Sequence, residues 1–157
     1  MLNPKAYRNI ACYFSVMLPT IVYGVTNKEA TQRKKPVDTI VLHTIGGPYC
    51  KNGQLAFSGA PGSANKWKAF FEAHPSISIH YIIDRQGRIA KSVDEDKVAW
   101  HAKSKNATSI GIELVNNGDA IEPFPSLQIV TLSELVKAIK ARHINIKNNN
   151  IIRHSDI

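Results

Sequence analysis

Ser109-Ile110-Gly111-Ile112-Glu113-Leu114-Val115-Asn116 is an alternating, β-branched run that Asn117-Gly118-Asp119 breaks, so it reads as a β-strand. Its middle carries Glu113, a residue type depleted in strands. A carboxylate there has two readings. On an edge strand it faces water. If buried, it needs a partner or its pKa rises, and a raised pKa suits a general base or acid.

The flanking sequence decides what kind of sheet this strand joins. Thr39-Ile40-Val41-Leu42-His43 is a short apolar run, read as a buried strand that opens the folded domain near Val37. Ser78 to Asp84 and Ile89 to Val93 read as two strands around the tight turn Arg85-Gln86-Gly87-Arg88, which makes a hairpin. Ser63 to Ala73 reads as a helix capped by Ser63, with Trp67, Phe70 and Phe71 on one face and Pro75 closing it. A second helix is expected over Ser126 to His143, where Leu127, Val130, Leu135 and Ile139 recur near helical spacing. Ile151 to His154 reads as a last strand, and Gly46 to Gly62, rich in Gly, Pro, Ser and Asn, as a long loop. Strands interleaved with helices, one pair of them a hairpin, predict an α/β fold: a mixed central β-sheet flanked by α-helices.

The 157 residues suffice for one domain with a single core. The net charge is +8, concentrated at the start: residues 1–36 hold six Lys/Arg against one acid, and the rest fourteen against eleven. The domain is therefore mildly basic, which suits an acidic partner such as a cell-wall polymer. Without a dense Lys/Arg stripe interleaved with aromatics, nucleic acid is not an expected partner. Two cysteines, Cys12 and Cys50, define no disulfide framework and no Cys-based metal site.

Residues 1–24 follow the pattern of a secretory signal. Lys5 and Arg8 precede an apolar run from Ile10 to Gly24, in keeping with the roughly 7–15 apolar residues of a signal core. The run is short for a membrane span, which needs about 20. Val22 and Gly24 are small enough for a cleavage site. A buried first helix or strand is the alternative. Residues 25–36 are polar, without hydrophobic periodicity, and read as a solvated linker to the domain at 37–157. The expected location is periplasmic or extracellular, or cytoplasmic if the segment is no signal. Membrane contact is expected only through that segment, if it stays uncleaved.

Six histidines compete for attention: His43, His74, His80, His101, His143 and His154. His43 and His154 each end a short apolar strand, where side chains can converge at a sheet edge. Neutral imidazole is a common zinc ligand, and a catalytic zinc keeps three protein ligands and an open position. On the residues alone each is equally an ordinary polar strand terminus. Trp100-His101 pairs a ring able to stack on a sugar or peptide plane with a polar neighbour, or else a core Trp with a surface His. His80, between Ile79 and Tyr81, reads as a core histidine. His143 ends a helix, where a cation suits the dipole.

Taken in order, five segments resemble one family: Thr39 to Thr44, Ile77 to Ile89, Val93 to Ala102, Ser109 to Asn116 and Arg153 to Ile157. They are similar to the amidase-2 family of zinc-dependent N-acetylmuramoyl-L-alanine amidases, which includes AmpD-type enzymes, phage lysozyme-type amidases and peptidoglycan recognition proteins. The resemblance spans Val37 to Ile157. It implies a mixed sheet flanked by helices with Zn2+ in a cleft, held by His43 and His154 among others. It implies Glu113 as general base, and Trp100, His101 and Asn116 near the substrate. His80 matches a position buried under the site. Ile79 stands where some relatives carry Tyr, which points to the Glu-based version. The implied reaction cuts the amide between N-acetylmuramic acid and L-alanine in peptidoglycan or muropeptides, Glu113 passing a proton from water to the departing amine.

In that family the His-Ser-Asp-Ile segment continues to an acidic or thiol third ligand, a lysine near the oxyanion and a closing helix. The chain ends at Ile157, so the resemblance implies a C-terminally incomplete domain. Asp156 matches no ligand of the family. The alternative expectation is therefore a non-catalytic module that binds peptidoglycan or muropeptides, or an inactive fragment of such an amidase.

Overall fold

The computed structural model describes residues 31–57, 61–119 and 121–157; residues 1–24, expected to be a secretory signal, and the first half of the expected linker lie outside them. Among the described residues the chain forms β1 (Thr39–Ile45), β2 (Pro48–Lys51), β3 (Gln54–Phe57), α1 (Ala64–Ala73), β4 (Tyr81–Ile83), β5 (Ile89–Lys91), β6 (Ser109–Val115), α2 (Ser126–Arg142) and β7 (Ile151–Arg153). Five strands make one sheet in the order β5-β4-β6-β1-β7. β4 and β5 are antiparallel, and the other neighbours run parallel. The sheet is therefore mixed, as the hairpin requires.

β6 lies between β4 and β1 and is buried along its whole length. That explains its β-branched composition and removes the edge-strand reading of Glu113. Side chains alternate across the sheet. Ile40, Ile110, Ile112 and Leu114 point to one side, where they pack with Leu135 and Ile139 of α2. Ile45, Ile82, Ala90 and Val115 point to the other, with Ala64 and Phe71 of α1. His43 and Glu113, in step with Ile45 and Val115, share this second side.

Polar side chains tie the layers together. Gln128, fully buried in α2, donates from Nε2 to the carbonyls of Ile83 at 2.9 Å and Val115 at 3.2 Å, joining the ends of β4 and β6 to the helix. Asp84 accepts from the backbone N–H of Gln86, Arg88 and Ala64, so one buried carboxylate shapes the β4–β5 turn and anchors the start of α1. Ser63 caps α1 by accepting from the N–H of Lys66.

Four expectations change. The stretch read as a loop from Gly46 to Gly62 contains the β2–β3 hairpin. Asn52 and Gly53, at φ 51° and 75°, supply the two left-handed positions that a two-residue hairpin turn needs. The buried face of α2 runs through Gln128, Leu135 and Ile139, with Leu132 and Val136 half-buried, while Leu127 and Val130 are 64% and 59% exposed. The apolar residues of that helix are spread too widely round it for spacing to pick the face. Phe70 likewise turns outward, and Phe71 carries the packing of α1. Residues 31–33, assigned to a solvated linker, join the fold. Gln32 bridges Lys97, and the Arg33 guanidinium donates to the carbonyls of Glu95, Asn106, Ala107 and Ser109.

No helix among the described residues is long and apolar enough to cross a membrane.

Candidate active site

The parallel register of β1 and β6 sets His43 directly opposite Glu113. On a sheet such partners stand side by side on one face, and His43 Nδ1 lies 3.9 Å from Glu113 Oε1. The distance is too long for a hydrogen bond. Both residues are nearly buried, at 7% and 8% exposure. Burial pushes the Glu113 carboxyl up to about 8, and nothing offsets it. Oε2 of Glu113 is buried with no hydrogen-bond partner among the described residues. Burial, with His154 alongside, pulls the His43 imidazole down to about 3. At neutral pH the contact is a neutral imidazole beside a mostly protonated carboxyl, and not an ion pair.

His154 arrives from the far edge of β1. β7 pairs with β1 through Ile40↔Ile151 to Leu42↔Arg153, so the next residue of each strand, His43 and His154, end level. Their ring centroids are 4.6 Å apart. His154 is exposed and opens a short 3-10 turn, His154–Asp156. In that turn Asp156 accepts from the Arg153 backbone N–H at 3.0 Å and from its Nη2 at 2.8 Å. Its carboxylate is thereby held by Arg153.

His101 comes from the segment before β6. Its Nδ1 is 3.0 Å from His43 Nε2 and its Nε2 3.2 Å from Ser109 Oγ. Burial first, then the neighbouring His80 and His43, hold this imidazole down to about 2. His80 lies beneath, fully buried. Its Nδ1 accepts from the Gly111 N–H at 3.0 Å, and Arg33 Nη2 sits 2.8 Å from its Nε2. Burial and the adjacent Arg33 keep it neutral, at about 3.

Three residues expected near the substrate thus part company. Trp100 is 55% exposed next to His101, with its backbone pinned by Ser78, and is free to stack on a ligand. His101 has both ring nitrogens bonded inside the protein and acts on His43 rather than facing solvent. Asn116 is buried, and its amide holds its own loop: Nδ2 donates to the Glu122 carbonyl, and Oδ1 accepts from the Gly118 N–H.

The cluster offers His43 and His154 as imidazole donors beside an unpartnered carboxyl. Among the described residues no group of three His, Cys, Asp or Glu stands close enough to hold a metal ion. With ring centroids 4.6 Å apart, His43 and His154 could supply two of the three protein ligands that a catalytic zinc takes. Sequence reasoning missed Arg33, Ser109 and Gly111 as parts of this site. For Gly111 a signal existed, since an isolated glycine in a strand marks a close approach. For Arg33, one basic residue in a basic tail, there was none.

The family described as N-acetylmuramoyl-L-alanine amidase matches residues 33–157. The chain is 34% identical over 89 residues to the 1,6-anhydro-N-acetylmuramyl-L-alanine amidase AmpD of Haemophilus influenzae, covering 52% of this chain and 47% of that protein. It is 36% identical over 103 residues to the N-acetylmuramoyl-L-alanine amidase AmiD of Escherichia coli, covering 52% of this chain and 37% of that protein. The chain thus spans about half or less of these relatives. Among solved structures it resembles AmpDh3 of Pseudomonas aeruginosa in complex with anhydromuramic pentapeptide, at 27% identity and a TM-score of 0.55, covering 90% of this chain and 58% of that one.

Proposed function

The chain belongs to the N-acetylmuramoyl-L-alanine amidase family, and from that premise we propose that its His43–Glu113–His154 cluster hydrolyses the amide between N-acetylmuramic acid and L-alanine in peptidoglycan-derived muropeptides. The observation that carries this reading is Glu113: a carboxyl in the middle of a central strand, buried, without a partner, and opposite an imidazole. Native folds seldom tolerate such a group without a function for it. A muropeptide substrate is supported by the pentapeptide ligand of the related Pseudomonas structure.

In this proposal His43 and His154 would hold zinc, which when bound would supply Lewis acidity for amide hydrolysis. Glu113, whose carboxyl burial raises to about 8, would act through its ionised fraction, taking the proton of the attacking water on Oε2, the oxygen left without a partner, and returning it to the departing L-alanine amine. Trp100, exposed at the rim, stacks on the sugar or peptide plane. Asn116 shapes the loop that follows β6 without touching the reacting atoms. The products are the muramoyl sugar and the free stem peptide. Incubation of a muramoyl peptide with the zinc-supplemented chain tests the reading; release of stem peptide is expected, and its absence would overturn it.

A second reading has its own support. With Asp156 held by Arg153 and no third ligand among the described residues, the same cluster serves a module that binds muropeptides without cutting them. Muropeptide binding that survives chelation, without hydrolysis, would favour it.

Export rests on the pattern of residues 1–24. The expected outcome is a mature N-terminus near residue 25 in the periplasm or medium; a chain retained in the cytoplasm with Met1 intact would contradict it.

A further inference from the structure

The hydrogen bonds behind His43 have a direction, and it runs from one end of the chain to the other. The Lys105 carbonyl can only accept, so the 2.8 Å contact with Ser109 Oγ uses the hydroxyl proton of Ser109. Ser109 Oγ must then accept at its other contact, 3.2 Å from His101 Nε2, which places the His101 proton on Nε2. His101 Nδ1 is left as a lone pair 3.0 Å from His43 Nε2, so His43 donates from Nε2. His43 Nδ1, the nitrogen on the Glu113 side, is left bare.

Gly111 makes this arrangement fit. A Cβ at that position would stand 2.6 Å from His101 Nδ1, 2.8 Å from His101 Cε1 and 2.5 Å from Ile79 Cδ1. Only a strand without a side chain there lets the His101 ring lie against β6 and reach His43. Asn106 holds the other side, its Oδ1 accepting from the backbone N–H of His101 and Ala102. The ring is thus located by a strand glycine, a loop amide and a serine.

We propose that His101 is a positioning residue, oriented by Ser109 and admitted by Gly111, that locks His43 in the tautomer with Nδ1 bare and aimed into the site. The inference rests on the reading of His43 as a metal ligand. A ligand imidazole must present a lone pair to the metal, and its other nitrogen needs a fixed acceptor. The acceptor is more often a carboxylate or a carbonyl; here a second imidazole fills that role, itself held in one tautomer.

The first test needs no metal, substrate or variant. Nitrogen-15 NMR of the imidazoles in the metal-free chain at neutral pH is expected to show His43 protonated on Nε2 and His101 protonated on Nε2. His43 protonated on Nδ1 would overturn the proposal. The second test uses two substitutions. His101→Phe keeps a ring but no acceptor; it is expected to mix the His43 tautomers and weaken zinc binding about 10- to 100-fold. His101→Asn keeps an acceptor where Nδ1 stands and is expected to recover most of that loss. Unchanged tautomer and zinc affinity in His101→Phe would sink the proposal. If His101→Phe fails to fold, the wild-type spectrum and the His101→Asn affinity still decide it. Absence of amide hydrolysis would remove the functional reading and leave these tautomer results intact, so the two failures are separable.

Discussion

Glu113 destabilises the strand that carries it, since a buried polar atom without a partner costs about 1–3 kcal/mol. Its neighbours on β6 are what tolerate that cost, with Ile110 and Ile112 fully buried. Glu113→Gln keeps the shape and removes the base. It is expected to retain zinc and lower the amidase rate by about 10²- to 10⁴-fold, the usual contribution of a general base; an unchanged rate would remove Glu113 from the chemistry. His43→Ala is expected to abolish zinc binding, read as metal content after dialysis, and unchanged content would put the site elsewhere. These residues were visible in the sequence as types: a carboxylate inside a β-branched strand and two histidines ending strands. Their adjacency was not. It comes from the pairing of His43 with Glu113, a register between strands far apart in the chain. The role of His101 was also hidden, because Trp100-His101 reads as a pair while the structure turns one ring out and the other in.

Elements behaved according to how strongly each is specified. β1 and β6 were legible because apolar, β-branched runs bounded by turn residues leave little else to form. The β2–β3 hairpin was written in Asn52-Gly53 and obscured by the polar composition around it. The buried face of α2 was misread because Leu127 and Val130 fall near helical spacing yet project to solvent, while polar Gln128 takes the core position. What Gln128 gains is two hydrogen bonds to strand ends, which no count of apolar residues reveals. The β4–β5 turn makes a prediction at this scale. Gly87 has φ +74°, and a Cβ there would lie 2.7 Å from Thr131 Oγ1 and 3.0 Å from the Leu127 carbonyl of α2. Gly87→Ala is expected to lower the unfolding free energy by about 1–3 kcal/mol, through a left-handed backbone and the collision with α2. A urea midpoint equal to wild type would show that the turn can move off the helix.

Across the whole molecule the buried titratable groups pull stability in opposite directions with pH. His43, His80 and His101 are held neutral by burial, at about 3, 3 and 2 against an ordinary 6.5. Below 6.5 the unfolded chain binds protons that the folded chain refuses, so their contribution is lost as pH falls toward those values. Glu113, raised by burial to about 8 from 4.5, works the other way. Its folded form keeps a proton the unfolded chain releases, so stability is lost as pH rises from 4.5 through about 8. Each group contributes at most about 1.4 kcal/mol per pH unit. The metal-free protein is therefore expected to be most stable near pH 6.5, with a steep acid limb from three imidazoles and a shallow alkaline limb from one carboxyl. Urea melts between pH 5 and 8.5 check this, and Glu113→Gln should flatten the alkaline limb alone. Stability that keeps rising from pH 6.5 to 8 in the wild type would contradict the burial of Glu113.

The claim that binds these scales together is that the His43–Glu113–His154 cluster cuts a muramoyl–L-alanine amide. Mass spectrometry of a muramoyl peptide incubated with the purified, zinc-supplemented chain, with and without chelator, tests it most directly. The account predicts release of free stem peptide that chelator abolishes. An intact substrate in both samples would contradict it and leave a family member that binds without cutting.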